Sequence, residues 1–158
     1  MTKELEVRKV ELPTMTVASV VGFGKGPEPE ALQLMKNYAD RIGVEMASAE
    51  HQTYGFNNPD PQPGKAEYGY ELWMRVEPGT VAEEPVKIKE MPAASYVVTR
   101  LTGVQNIFRV WQELGDWYDV EYADGPPSKH YGYESLQTPN EPDPEKWVFD
   151  LYMIVETD

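Results

Sequence analysis

Apolar Val7, Val10 and Leu12 are interspersed with charged residues, and the following run, Met15 to Phe23 (MTVASVVGF), is dense in β-branched side chains; both segments predict strands. Gly22, Gly24 and Gly26 punctuate the chain before Pro27 and Pro29, which open a predicted helix. Within it Ala31, Leu34, Met35, Tyr38 and Ile42 keep helical spacing, and Gly43 closes it. Gln52 to Phe56 and Tyr68 to Val76 predict a strand pair across the loop NNPDPQPGKA, whose prolines and glycine forbid regular structure.

The same order then returns. Val86 to Glu90 and Ala94 to Leu101 predict strands, and Thr102-Gly103-Val104-Gln105 has the form of a capping box, which would satisfy free amides at a helix start. Val104, Ile107, Phe108, Trp111, Leu114 and Tyr118 form one helical stripe, and Tyr131 to Leu136 and Trp147 to Val155 predict strands around QTPNEPDPE. Val10-Glu11-Leu12-Pro13 aligns with Lys89-Glu90-Met91-Pro92 at an offset of 79 (92 − 13). Glu71-Leu72-Trp73-Met74 aligns with Asp150-Leu151-Tyr152-Met153 at the same offset (150 − 71), and both hairpin loops carry Pro-Asp-Pro. The chain is therefore read as one α+β domain, 1–158, made of two β-α-β-β pseudo-repeats at roughly 1–79 and 80–158. The tetrapeptide YGYE occurs at Tyr68–Glu71 and at Tyr131–Glu134, yet the copies are not repeats of each other. The first aligns with Trp147–Asp150, and the second is expected to align with Tyr54-Gly55-Phe56-Asn57.

Composition narrows the function. With 158 residues, 41% of them hydrophobic, the chain can bury a core of its own. A net charge of −13 argues against direct nucleic-acid binding, which needs lysine and arginine, and suits cationic ligands. The absence of cysteine excludes disulfides, a thiol nucleophile and zinc thiolates. His51 and His130 stand in no ligand spacing and read as loop residues, so neither a metal nor a cofactor is expected. The N-terminus MTKELEVRKV has no apolar core, and no stretch approaches the roughly 18 apolar residues of a membrane span; a soluble cytoplasmic protein is expected. Gly22-Phe23-Gly24-Lys25-Gly26 lacks the Lys-Ser/Thr ending of a phosphate loop and reads as a tight turn.

Two glutamates draw the chemistry. Strand alternation puts Gly132, Glu134 and Leu136 on one face with Tyr131 and Tyr133 on the other, and sets Glu71 with Gly69, Trp73 and Arg75. A carboxylate on an apolar face needs a partner or a cationic ligand. Arg75 offers Glu71 an ordinary ion pair, Glu134 also fits an exposed edge-strand position, and Trp111 also fits the core side of its helix. Trp73 and Tyr152 are equivalent under the repeat, which suggests an aromatic pair across a pseudo-two-fold axis. The acidic runs at Glu83-Glu84 and 141–145 read as solvated.

Tyr131-Gly132-Tyr133-Glu134, the helix segment Phe108-Arg109-Val110-Trp111, the ending Phe149-Asp150-Leu151-Tyr152-Met153-Ile154-Val155, and the duplicated β-α-β-β order with a proline after each first strand resemble the GyrI-like (DNA-gyrase-inhibitor-like) domain. That SHS2-type family also supplies effector domains of multidrug-sensing regulators, and the resemblance covers nearly the whole chain. It implies a pseudo-two-fold antiparallel sheet, two helices and a central cleft whose carboxylate meets lipophilic cations. The family's glutamate maps onto Glu134, its late-strand tyrosine onto Tyr152, and its helix aromatics onto Phe108 and Trp111. Trp73, Tyr133 and Glu71 join as further walls, so that one site is fed by both YGYE copies. The chain carries no helix-turn-helix extension, so a stand-alone binding module for hydrophobic, often cationic aromatic molecules is expected. Some stand-alone relatives are similar to hydrolases that open cyclopropane rings of DNA-alkylating compounds; in that alternative Glu71 and Glu134 are acid–base partners. A third reading is an interaction protein acting on gyrase or a regulator. The oligomeric state stays open, with apolar aromatic strands compatible with a homo-oligomer.

Overall fold

The β-branched runs, helix signals and turn prolines fold into eight strands and two α-helices in a computed structural model that describes residues 5–129 and 131–156; His130 lies outside the described residues. In order these are β1 (Arg8–Leu12), β2 (Met15–Gly24), α1 (Glu28–Ile42), β3 (Thr53–Asn57), β4 (Tyr68–Arg75), β5 (Lys87–Met91), β6 (Ala94–Thr102), α2 (Ile107–Glu121), β7 (Gly132–Leu136) and β8 (Val148–Ile154). The architecture is α+β, with every strand pairing described below antiparallel.

Two compact units divide the chain. The middle unit runs from Thr14 to Pro92, and the terminal unit combines the residues up to Pro13 with those from Ala93 onward. Both boundaries between the units fall just after a proline of the repeat anchors, Pro13 and Pro92. In the middle unit the strand order is β3-β4-β2-β5; in the terminal unit it is β1-β6-β8-β7. The first strand of each sequence repeat therefore pairs with the second strand of the other repeat. Val10 lies opposite Tyr96 on β6, and Lys89 opposite Val17 on β2.

In the middle unit α1 begins where Pro27 and Pro29 tolerate missing amide donors and Glu28 and Glu30 face the positive helix end. It stops at Gly43, which takes the left-handed φ of 77°. Ala31, Met35 and Tyr38 point at the sheet and pack with Ala18, Val20, Tyr70, Leu72 and Met74. Burying each of the larger aliphatic side chains contributes about 1.5–3 kcal/mol. In the terminal unit α2 buries Val110, Leu114, Gly115 and Tyr118.

Two local expectations change. The capping box does not form: Gly103 sits at φ 96° and starts a single 3-10 turn, Val104–Asn106, and the Asn106 amide donates to the Thr102 carbonyl at 2.9 Å. The helical stripe is also rotated. The buried line is Val110–Leu114–Tyr118, whereas Val104 and Phe108 are exposed, Phe108 by 74%. No helix among the described residues is long and apolar enough to cross a membrane.

Candidate functional site

Phe108 is the clue to a groove along α2. It is largely exposed, although the other face of its helix is packed, and its ring lines the groove. Beneath it, Gly132 pairs with Met153 and Glu134 with Leu151, so all four side-chain positions lie on the face of the sheet turned to α2. Trp111 crosses that surface. A Cβ on Gly132 would stand 2.9 Å from the Trp111 ring and 1.8 Å from the Tyr152 carbonyl oxygen, so only glycine lets the indole lie there. The Trp111 Nε1 donates to Glu134 Oε1 at 3.4 Å, a long contact that ties the half-buried carboxylate to the indole. Phe108, Trp111, Gln112, Asp116 and Met153 line a cavity of about 530 Å³ at this place.

The opposite face of the same sheet carries the tyrosines. Tyr133 pairs with Tyr152, and the Tyr96 ring lies 6.0 Å from Tyr133 and 5.7 Å from Tyr152. Burial raises the pKa of Tyr152, and the nearby Asp150 charge raises it further. Asp150, only 4% exposed, accepts from Arg100 at 2.8 and 3.1 Å and from Arg8 at 3.1 Å. The hydrogen bond from Arg100 to Asp150 in turn raises the arginine's pKa. The terminal unit thus gathers Glu134 with Phe108 and Trp111 on one side of its sheet, and Tyr133 with Tyr152 on the other.

Glu71 and Trp73 belong to the middle unit. Their face of β4 points away from the α1 core, and Trp73 meets Phe56 edge-on at 4.9 Å. The ion pair expected with Arg75 is replaced by one with Lys89, reached across β2 from β5 at 2.7 Å. Ser19 donates to the same carboxylate at 2.7 Å, Asn58 at 2.8 Å, and the Trp73 indole completes the set. Burial alone would raise the Glu71 pKa, but the hydrogen bonds from Lys89, Ser19, Asn58 and Trp73 outweigh it and lower the value to about 2. A carboxylate held ionised by four donors has no proton to give at neutral pH, which is the wrong state for a general acid.

The repeat supplies an internal reference. The two helices correspond residue for residue at the offset of 79 (107 − 28 and 121 − 42). Strand pairing fixes β3 and β7 at the same offset: Gly55 faces Leu72 as Glu134 faces Leu151. Glu134 therefore corresponds to Gly55, not to Asn57 as the YGYE-like match suggests; the short similarity Tyr-Gly-aromatic had slipped the alignment by two residues. Above Gly55 the middle unit places the Tyr70 ring, whose hydroxyl would be 1.9 Å from an added Cβ. Where one unit carries a carboxylate, the other carries a glycine covered by tyrosine.

Sequence reasoning missed three groove residues, Met153, Gln112 and Asp116, and the Asp150–Arg8–Arg100 cluster. The repeat signalled the last: Asp150 is the counterpart of the buried Glu71. Its cationic partners lie 50 and 142 residues away and are legible only in three dimensions.

The family model described as integron-associated effector binding protein matches residues 8–155. Among solved structures, the chain superposes on the EcmrR C-terminal domain with a TM-score of 0.74 at 14% identity, covering 98% of this chain and 99% of that one. It also superposes on SAV2435 bound to tetraphenylphosphonium (TM-score 0.56, 11% identity, 96% and 94% covered) and on a hydrolase from Listeria innocua (0.62, 13%, 98% and 94%). In the EcmrR–DNA complex the likeness spans 58% of the EcmrR chain (TM-score 0.72, 14% identity, 97% of this chain). At these identities the likeness is one of fold. No curated protein matches the sequence.

Proposed function

This chain belongs to the integron-associated effector binding protein family, and we propose that its effector is a lipophilic organic cation held in the α2 groove of the terminal unit. The observation that carries this reading is the meeting of Glu134 with Trp111 beside an exposed Phe108. Aromatic faces attract cations by about 0.5–2 kcal/mol each, more when water is excluded. The carboxylate adds charge complementarity without imposing a fixed hydrogen-bond geometry, and Met153 supplies a wall that adapts its shape. Such a site makes a strong demand on charge and a loose one on shape, which favours a range of flat cationic drugs over a single ligand. The tetraphenylphosphonium bound by SAV2435 is a cation of the same class.

Ethidium fluorescence tests the proposal directly. Titration into the wild type, Glu134→Gln and Trp111→Ala should show saturable binding that weakens about tenfold or more in each variant, equivalent to about 1.4 kcal/mol. Unchanged affinity in Glu134→Gln would remove Glu134 as the counter-ion and sink the reading.

A further inference from the structure

We infer that the α2 groove is built for an elongated dication, with Asp116 as the second anionic anchor; this rests on the cation-binding reading of Glu134. Phe108, Gln112 and Asp116 stand four residues apart and so form one line along the helix. From Trp111, where Glu134 docks, to Asp116 the helix rises about 7.5 Å, at 1.5 Å per residue. Asp116 therefore stands a full helical turn or more along the groove from the indole that meets Glu134, with the apolar surfaces of Trp111 and Met153 in the same lining. Asp116 is exposed, and no cation among the described residues pairs with it. Arg109, the nearest basic residue on the helix, is held by Glu113 at 2.6 Å and by Asn106 at 3.3 Å.

The repeat sharpens this assignment. At the offset of 79 the groove residues Phe108, Trp111, Gln112, Asp116 and Glu134 become Pro29, Leu32, Gln33, Asn37 and Gly55 in the middle unit. Both acids are replaced by uncharged residues, and both aromatics are lost. In that unit Asn37 instead accepts a hydrogen bond from Gln33 at 2.9 Å. Gln112 and Gln33 are the same residue, so the charge at position 116 differs beside a matched neighbour on the same helix line. Both acids and both aromatics of the groove thus belong to the terminal unit alone, the composition expected of a set serving one ligand.

Ethidium and propidium separate the claims, because they share one planar ring system and propidium adds a second cationic group on a propyl arm. Wild type should bind propidium severalfold more tightly than ethidium. Asp116→Asn, which installs the residue of the middle unit, should erase that difference by weakening propidium severalfold more than ethidium. Asp119→Asn, an exposed acid of the same helix outside the groove, makes the same change in net charge and should preserve the difference. A propidium preference that survives Asp116→Asn, that falls equally in Asp119→Asn, or that is absent from the wild type overturns the second anchor. Failure of ethidium itself to bind in a Glu134-dependent way overturns the cation-binding reading, and this inference with it.

Discussion

The two helices have equal length and matching positions, yet they serve different ends. Helix α1 closes its sheet: Met35 and Tyr38 are fully buried, and Tyr70 covers the glycine beneath. Helix α2 leaves Phe108 and Asp116 facing solvent and holds Trp111 over a glycine beside a carboxylate. The same frame thus gives a closely packed half and a half with a groove along its helix. The two glutamates divide likewise. Glu71 is enclosed with four donors, whereas Glu134 is half-buried and meets the indole of Trp111, a residue that lines the cavity. An enclosed, fully bonded acid stabilises a fold, whereas a half-buried acid beside exposed aromatics is placed where a ligand could meet it.

The sharpest way to break this comparison is to remove each acid. Glu71→Ala strands Lys89 and three further donors beside a vacated site and should cost about 3–5 kcal/mol in urea denaturation. Glu134→Gln should change stability by less than about 1 kcal/mol while weakening ethidium binding; equal losses of stability would erase the distinction. Gly132→Ala comes next. It drives a methyl group into the Tyr152 carbonyl and the Trp111 ring, and should cost about 1–3 kcal/mol while displacing the indole.

Acid titration sharpens the same point. The folded pKa of Glu71, about 2, lies below its ordinary value of 4.5, so the stabilisation it provides is complete above about pH 4.5 and is lost as pH falls toward 2. The contribution is roughly 3 kcal/mol at about 1.36 kcal/mol per unit. Glu71→Gln should flatten the stability profile across that window; an unchanged slope would show that other carboxylates set it. The smallest effect belongs to the exposed pair Arg109–Glu113: Arg109→Ala should cost no more than about 0.5 kcal/mol and leave ethidium affinity unchanged, since its charge is spent on its helix neighbour.

Much of this molecule is readable from local pattern. The helix ends at Gly43, the strand positions and the offset of 79 follow from residues that act on their immediate neighbours. Glu134, Trp111 and Phe108 were reachable through the motif YGYE and the helix aromatics. The face on which Phe108 would lie was not, because helical spacing alone gives a stripe that Val104 and Phe108 fit as well as Val110 does. The alignment of β7 slipped because Tyr-Gly-aromatic recurs two residues out of register, and hydrogen bonding between strands is needed to decide. Lys89 rather than Arg75 holds Glu71 because the sheet brings β5 beside β2, a neighbour that alternation along β4 does not reveal.

The exchange of first strands has a consequence for synthesis. Arg8 on β1 finds its partner position at Val98 and its carboxylate at Asp150, so the opening strand must wait for most of the chain before it has anything to pair with. Contacts so distant along the chain slow folding, since the intervening loop must be closed before they repay its entropy. The middle unit, by contrast, is contiguous from Thr14 to Pro92 and is complete when β5 has emerged. The packed half of the protein can therefore form first, and the half that bears the groove is finished last, when β8 delivers Asp150 to both arginines.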